Sequence, residues 1–258
     1  MLINIMGLAG AGKDTVSDLL AQELRRLDYS VEQDKYAAPI KAASLQLFGE
    51  GSEGRDRKEK SVVCLEYQIR DAAQVCLNML GLHMGTWTQD DWQHYDAVWG
   101  QFLRGPKSAA HDRATFVLSP RQFQQYLGTE IVRRLDSEAF VRRIAQKSHS
   151  VDFLLVSDCR FKNEERESDV AVYVFRNTDV DPAKFPHASE KLALQYQRAI
   201  EGCALLAPQG TLLLPTKIAI PSSPRSAYTL SNQEDLQSLG RHVRGFINTL
   251  EYLYSKGI

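Results

Sequence analysis

Nine residues near the start of the chain, GLAGAGKDT at 7–15, constrain its fold more than any other stretch. The apolar run LINIM precedes them at 2–6 and suits a buried parallel strand. Val16, Leu19, Leu20, Leu24 and Leu27 follow at helical spacing. The order is strand, glycine-rich loop, helix, with the frame GxxxxGK complete from Gly7 to Lys13. Gly7, Gly10 and Gly12 permit backbone angles and close approaches that a Cβ would block. Loops of this form turn successive amides inward to cradle phosphate oxygens, and the following helix N-terminus adds to the attraction. Lys13 then reaches the β- and γ-phosphates, where it stabilises charge during phosphoryl transfer. The frame usually has Ser or Thr after the lysine, but here Asp14 follows and Thr15 comes next. A carboxylate at that position suits Mg2+, directly or through water. The expected ligands are ATP and Mg2+, held by Gly7, Ala9, Gly10, Ala11, Gly12, Lys13, Asp14 and Thr15, with Asp14 on the metal. A chance glycine-rich turn is the competing explanation, and the flanking strand and helix weigh against it.

The rest of the chain alternates strands and helices, which argues for an open, mostly parallel α/β sheet covered on both faces. Further strands are expected near 30–36, at DFLLVSD, at VAVYVFR and at YTLSN. Helices are expected at APIKAASLQLF, SVVCLEYQIRDAAQVCLNMLG, SPRQFQQYLGTEIVRRL, DSEAFVRRIAQK, KNEERES, HASEKLALQYQRAI and the closing QEDLQSLGRHVRGFINTLEYLYS. Ser119 is a good helix cap, with Pro120 in the first helical position. Residues 50–118 contain a polar glycine-rich loop, an aromatic and acidic stretch, and a basic segment. That region is expected to be a lid or substrate-covering insertion in a single domain of 258 residues. Arg104, Lys107 and Arg113 are its candidate closing cations.

A net charge of −1 leaves no global basic field for a nucleic-acid duplex. No apolar run is long enough to span a bilayer, and no secretory leader is apparent. Cys64, Cys76, Cys159 and Cys203 show no metal-ligand spacing, which points to a reducing, cytoplasmic setting. Cys159 adjoins a candidate site residue, but a small buried thiol is the simpler account.

A kinase also needs an acceptor site, where cationic and hydrogen-bonding groups meet an anionic substrate. Arg121 and Gln125 are four residues apart, hence on one helical face. Gly128, Thr129 and Arg133 continue that segment. Arginine offers a fork to phosphate, and an amide can read a base edge. Asp158 ends a strand, with Arg160 and Asn163 just after it. His187, Ser189 and Glu190 open another helix, where Ser189 also reads simply as a cap. Arg134, Arg142 and Arg143 read as solvated helix faces.

GLAGAGKDT, DKYAAPIK, SPRQFQQYLGTEIVRR, LVSDCRFKNE, HASE and YTLSNQEDLQSL occur in that order. Together they resemble the phage-type deoxynucleoside monophosphate kinases, P-loop enzymes of the nucleoside monophosphate kinase-like fold. The resemblance covers both ends and the centre but not 50–117 or about 192–227, the segments that shape a substrate pocket. It implies that the loop holds ATP and that Arg121, Gln125, Thr129 and Arg133 serve the acceptor nucleotide. It also implies that Asp158 and Arg160 lie near the transferred phosphate, that Asp34 and Lys41 reach the acceptor cleft, and that Asn232 contacts adenine. Lys13, Arg121, Asp158 and Arg160 are then the catalytic set. A homodimer is compatible with the sequence.

Three other activities fit parts of it. A kinase for modified bases within DNA would use Trp87, Trp92 and Trp99, although Asp90, Asp91 and Asp96 oppose a DNA track. A non-catalytic nucleotide switch would share only the loop. A small-metabolite kinase, such as one for dephospho-coenzyme A, would differ in its acceptor.

Overall fold

The computed structural model describes residues 1–52, 54–103, 115–176, 192–194, 196–197, 216–218 and 227–256. Its contacts divide the chain into two units, 1–36 with 144–258, and 37–143.

The first unit is α/β with a mostly parallel sheet. Its strands are β1 (Leu2–Met6) and β2 (Val31–Asp34), followed in the chain by β5 (Phe153–Val156), β6 (Val170–Phe175), β7 (Thr216–Ile218) and β8 (Ala227–Ser231). They lie in the order β2-β5-β1-β6-β8-β7. All neighbours run parallel except β7, which is antiparallel to β8. The five residues of β1 are all buried, as a central strand covered on both faces requires.

Alternation sends Ile3 and Ile5 to one face of β1. There they join Val16, Leu20 and Leu24 of α1 (Lys13–Arg26) in one apolar cluster. Leu239, Val243, Phe246 and Leu250 of the C-terminal helix α10 (Leu236–Ser255) complete it. Each such side chain contributes about 1.5–3 kcal/mol by leaving water. On the opposite face the Asn4 side chain reaches α9 (Lys162–Arg166), donating to the Glu164 carbonyl at 2.8 Å. There Tyr173 stacks on Tyr196, with ring centroids 5.6 Å apart. Residues 192–194 and 196–197 have helical backbone, within the helix expected at HASEKLALQYQRAI.

The second unit opens with α2 (Ala38–Phe48), which packs on α4 (Glu66–Met79). The short α3 (Arg55–Lys58) follows α2 in sequence, and α5 (Gln89–Leu103) follows α4. A two-stranded antiparallel ribbon joins β3 (Val62–Leu65) to β4 (Thr115–Leu118). The helix expected over the whole of SVVCLEYQIRDAAQVCLNMLG therefore starts only at Glu66. β-branched Val62 and Val63 favour the extended form that pairs with β4.

Ser119 and Pro120 start α6 (Pro120–Gln125) as anticipated. Ser119 Oγ accepts from the Gln122 amide at 3.3 Å, and Gln122 Oε1 accepts from the Ser119 amide at 3.1 Å. The helix does not continue as one α-helix. Tyr126–Val132 is π-helical, and α7 (Arg133–Leu135) follows it. Then α8 (Ala139–Ser148) begins after Asp136, whose Oδ1 accepts from the Glu138 amide at 2.9 Å. Arg134 pairs with Glu130 and Arg142 with Asp136, as solvated helix faces do.

Among the described residues no helix is long and apolar enough to cross a membrane. Cys64, Cys76 and Cys159 are buried and unbridged. The candidate closing residues Arg104, Lys107 and Arg113, together with His187, Ser189, Glu190 and Cys203, lie outside the described residues.

Candidate functional site

Parallel pairing brings the carboxyl ends of β1, β2, β5, β6 and β8 to one edge of the sheet, the edge that binds ligands in open α/β folds. The glycine-rich loop leaves β1 there. Gly7, Gly10 and Gly12 have φ of 151°, 78° and 92°, angles that L side chains rarely adopt. A Cβ on Gly7 would lie 2.6 Å from the Val174 carbonyl oxygen, so the loop also needs this glycine for its approach to β6. The Ala11 amide donates to the Leu8 carbonyl at 3.1 Å and closes the turn. Gly12 is the N-cap of α1, and no side chain caps that helix. The first-turn amides of α1 therefore face the loop without an intrahelical partner.

Lys13 folds back over the loop, its Nζ donating to the carbonyls of Gly7 at 3.0 Å and Leu8 at 2.9 Å. Asp14 is exposed, and its Oδ1 accepts from Ser157 Oγ at 2.6 Å and Lys35 Nζ at 2.8 Å. Burial pushes the Asp14 carboxyl upward. The bonds from Lys35 and Ser157, with the charges of Lys35 and Lys13, outweigh that and hold it below the ordinary range.

Asn232, just past β8, is at the loop as well. Its Nδ2 donates to the Ala11 carbonyl at 2.7 Å, and its own amide donates to the Phe175 carbonyl at 2.8 Å. A Cβ on Gly12 would collide with that Asn232 amide group. The residue expected against adenine thus braces the loop. Arg176, after β6, approaches the Gly10 carbonyl at 3.4 Å.

At the end of β2 the side chains divide. Asp34, expected at the acceptor, pairs through Oδ2 with Lys147 Nζ at 2.9 Å, and its Oδ1 accepts from the Lys35 amide at 2.6 Å. Its side chain is only 7% exposed. Lys35 instead reaches the loop. The Tyr36 amide donates to Asp158 Oδ1 at 2.7 Å, which ties the ends of β2 and β5 together.

Beyond Asp158, the Arg160 side chain is exposed and the chain turns into α9. Glu164 Oε2 accepts from the amides of Arg160 at 2.7 Å and Phe161 at 3.1 Å. Glu164 is itself buried, with Asn4 and the Tyr36 hydroxyl on its carbonyl. Burial first, then the nearby Glu164, Glu165 and Asp158 carboxylates, push the Cys159 thiol well up, which makes it an inert buried thiol.

The other candidates belong to the second unit. Arg121 on α6 pairs with Glu59 at 2.7 Å, and both side chains are more than half exposed. Gln125 ends α6 and is exposed, whereas Thr129 lies within the π-helical turn and is half-buried. Arg133 follows that turn, with its Cζ 5.0 Å from the centre of the Phe140 ring. Lys41, on α2, is half-buried. A Cβ on Gly128 would meet Ile40 Cδ1 at 2.7 Å, so α2 and the π-helical turn are in close contact.

The contacts of Ser157, Lys35, Lys147 and Glu164 were not foreseen. Ser157 and Glu164 lie inside the quoted LVSDCRFKNE segment and Lys35 inside DKYAAPIK, the one signal that pointed to them.

A divalent metal with a polyphosphate fits this donor set. Asp14 offers hard oxygen, the helix end is uncapped, and Mg2+ takes one or two carboxylates along with phosphate oxygens. Among the described residues no group of three or more His, Cys, Asp and Glu forms a separate metal cage. No protein-family model matches the chain, and no curated protein matches it significantly.

Proposed function

We propose that the chain is a P-loop phosphotransferase that moves the γ-phosphoryl group of ATP to the 5′-phosphate of a deoxynucleoside monophosphate, producing a precursor for DNA synthesis. The observation that carries it is the loop itself. Three glycines at positive φ lead from a central parallel strand into an uncapped helix that opens with Lys13 and Asp14. That combination favours an anionic chain of phosphates. The ordered motifs that resemble the phage-type kinases supply the acceptor half.

The attacking oxygen of a monophosphate is already anionic, so the reaction needs positioning and charge stabilisation more than a base. Lys13 leaves the carbonyls of Gly7 and Leu8 for the phosphates, a move open to a flexible side chain. Asp14 holds Mg2+, which spreads the charge of the phosphate oxygens when bound. Asp158, held by the Tyr36 amide, and Arg160 serve the transferred group. Arg121, Gln125, Thr129 and Arg133, with Lys41, recognise the acceptor. Arg121 exchanges Glu59 for phosphate at little cost, because exposed ion pairs are weak.

The test is a coupled assay of ADP release across the common and hydroxymethylated deoxynucleoside monophosphates. Acceptor-dependent release is expected, and Lys13→Ala should bring it to background with an unchanged circular dichroism spectrum. An active Lys13→Ala protein overturns the assignment. ATP binding without any acceptor-dependent release would favour a nucleotide switch instead.

A further inference from the structure

Both hydrogen bonds to the Asp14 carboxylate end on Oδ1, and Oδ2 accepts from no described residue. The two donors come from neighbouring strands. β2 and β5 pair in parallel with Asp34 opposite Val156, so the next residues, Lys35 and Ser157, emerge side by side at the sheet edge. Their donors then meet on one oxygen of the same loop residue.

They differ in character. Ser157 is only 4% exposed, and its hydroxyl is a short neutral donor on a rigid strand end. Lys35 carries a positive charge on a flexible stem, with its side chain 35% exposed. A hydroxyl that fixes a ligand carboxylate raises metal affinity by orienting it. An ammonium on the same carboxylate lowers it, because two cations compete for one negative charge. A cation arriving alone meets a carboxylate already neutralised. One arriving on a polyphosphate brings further oxygens to complete its shell, and its phosphates offer Lys35 another anion.

We propose that Ser157 aligns Asp14 and Lys35 competes for it, so that a divalent cation enters this site only together with a polyphosphate. The inference rests on the nucleotide reading above.

Mn2+ titrations followed by electron paramagnetic resonance, with and without β,γ-imido-ATP, test it. The wild-type protein should take up Mn2+ with the analogue and not without it. Ser157→Ala should raise the Mn2+ concentration for half-maximal ternary complex about tenfold, the usual cost of losing an orienting partner. Calorimetry in EDTA should find its metal-free affinity for the analogue unchanged, and Ser157→Thr, which keeps the hydroxyl, should restore the wild-type threshold. Lys35→Met removes the competing charge that meets a cation arriving alone, so this variant should take up Mn2+ without the analogue, where the wild type does not. A wild-type threshold in Ser157→Ala, Mn2+ uptake by the wild type without the analogue, or none by Lys35→Met without it, overturns the inference alone. A wild-type protein that does not bind the analogue at all overturns the nucleotide reading, and this inference with it.

Discussion

Asn232 and Lys35 make contacts that motif order does not imply for their segments. The closing strand's asparagine is implied at adenine, but its amide nitrogen is bonded to the Ala11 carbonyl and packed where Gly12 has no Cβ. A residue that braces the loop acts on every nucleotide alike. Asn232→Ala should weaken ATP and GTP binding equally, about fivefold each, the worth of one net hydrogen bond of about 1 kcal/mol. Fluorescence titration with both nucleotides checks this, and a loss confined to ATP would favour the adenine contact instead. At 34–35 the sequence offers a carboxylate and an ammonium in adjacent positions. Strand alternation gives the ammonium to the loop and the carboxylate to Lys147. Asp158, Lys13 and Asp14 were legible because glycine spacing and a strand end mark them directly. Ser157 was not, because a serine before an aspartate has no meaning until its strand is paired.

Helix signals in the sequence were strongest where capping chemistry is local. Ser119, Pro120 and Gln122 form the capping box that starts α6, with Ser119 2% exposed. Ser119→Ala should lower the free energy of unfolding by about 1 kcal/mol, measured by urea denaturation. The expected single helix from Pro120 onward failed at Tyr126 for a reason no cap reveals. Gly128 lies against Ile40 on α2, with no room for a Cβ. The π-helical turn coincides with that contact, and tertiary packing overrides helix propensity here. A π turn inserts one residue into the register. The ribbon β3–β4 escaped notice similarly, since Val62–Leu65 pairs with residues about fifty positions later.

For the whole molecule, one exposed carboxylate joins three distant parts of the first unit. Asp152, just before β5, accepts through Oδ2 from the Ser30 amide at 2.8 Å and the Ser30 hydroxyl at 2.6 Å. Its Oδ1 accepts from the Tyr254 hydroxyl of α10 at 2.7 Å. The Ser30 hydroxyl, then Tyr254 and the Ser30 amide, hold its carboxyl down to about 2. The folded state binds this proton less readily than the unfolded chain does. The stabilisation is thus fully present above the ordinary carboxylate range and disappears as pH falls from about 4 toward about 2. Asp152→Asn should lower the melting temperature at neutral pH and flatten its acid dependence in that window. Calorimetry from pH 2 to 7 reads both, and an unaltered acid slope would remove Asp152 from that role.

Residue order alone determined the opening strand, the glycine loop, the helix after it and the α/β alternation. Each depends on spacing within about a dozen positions, where periodicity and φ preference act. The strand order β2-β5-β1-β6-β8-β7 was decided only in three dimensions. Parallel neighbours are joined by long crossovers, so which strands meet depends on packing the whole core at once. That is why the loop could be found in the sequence, while the serine and lysine that converge on Asp14 required the folded sheet.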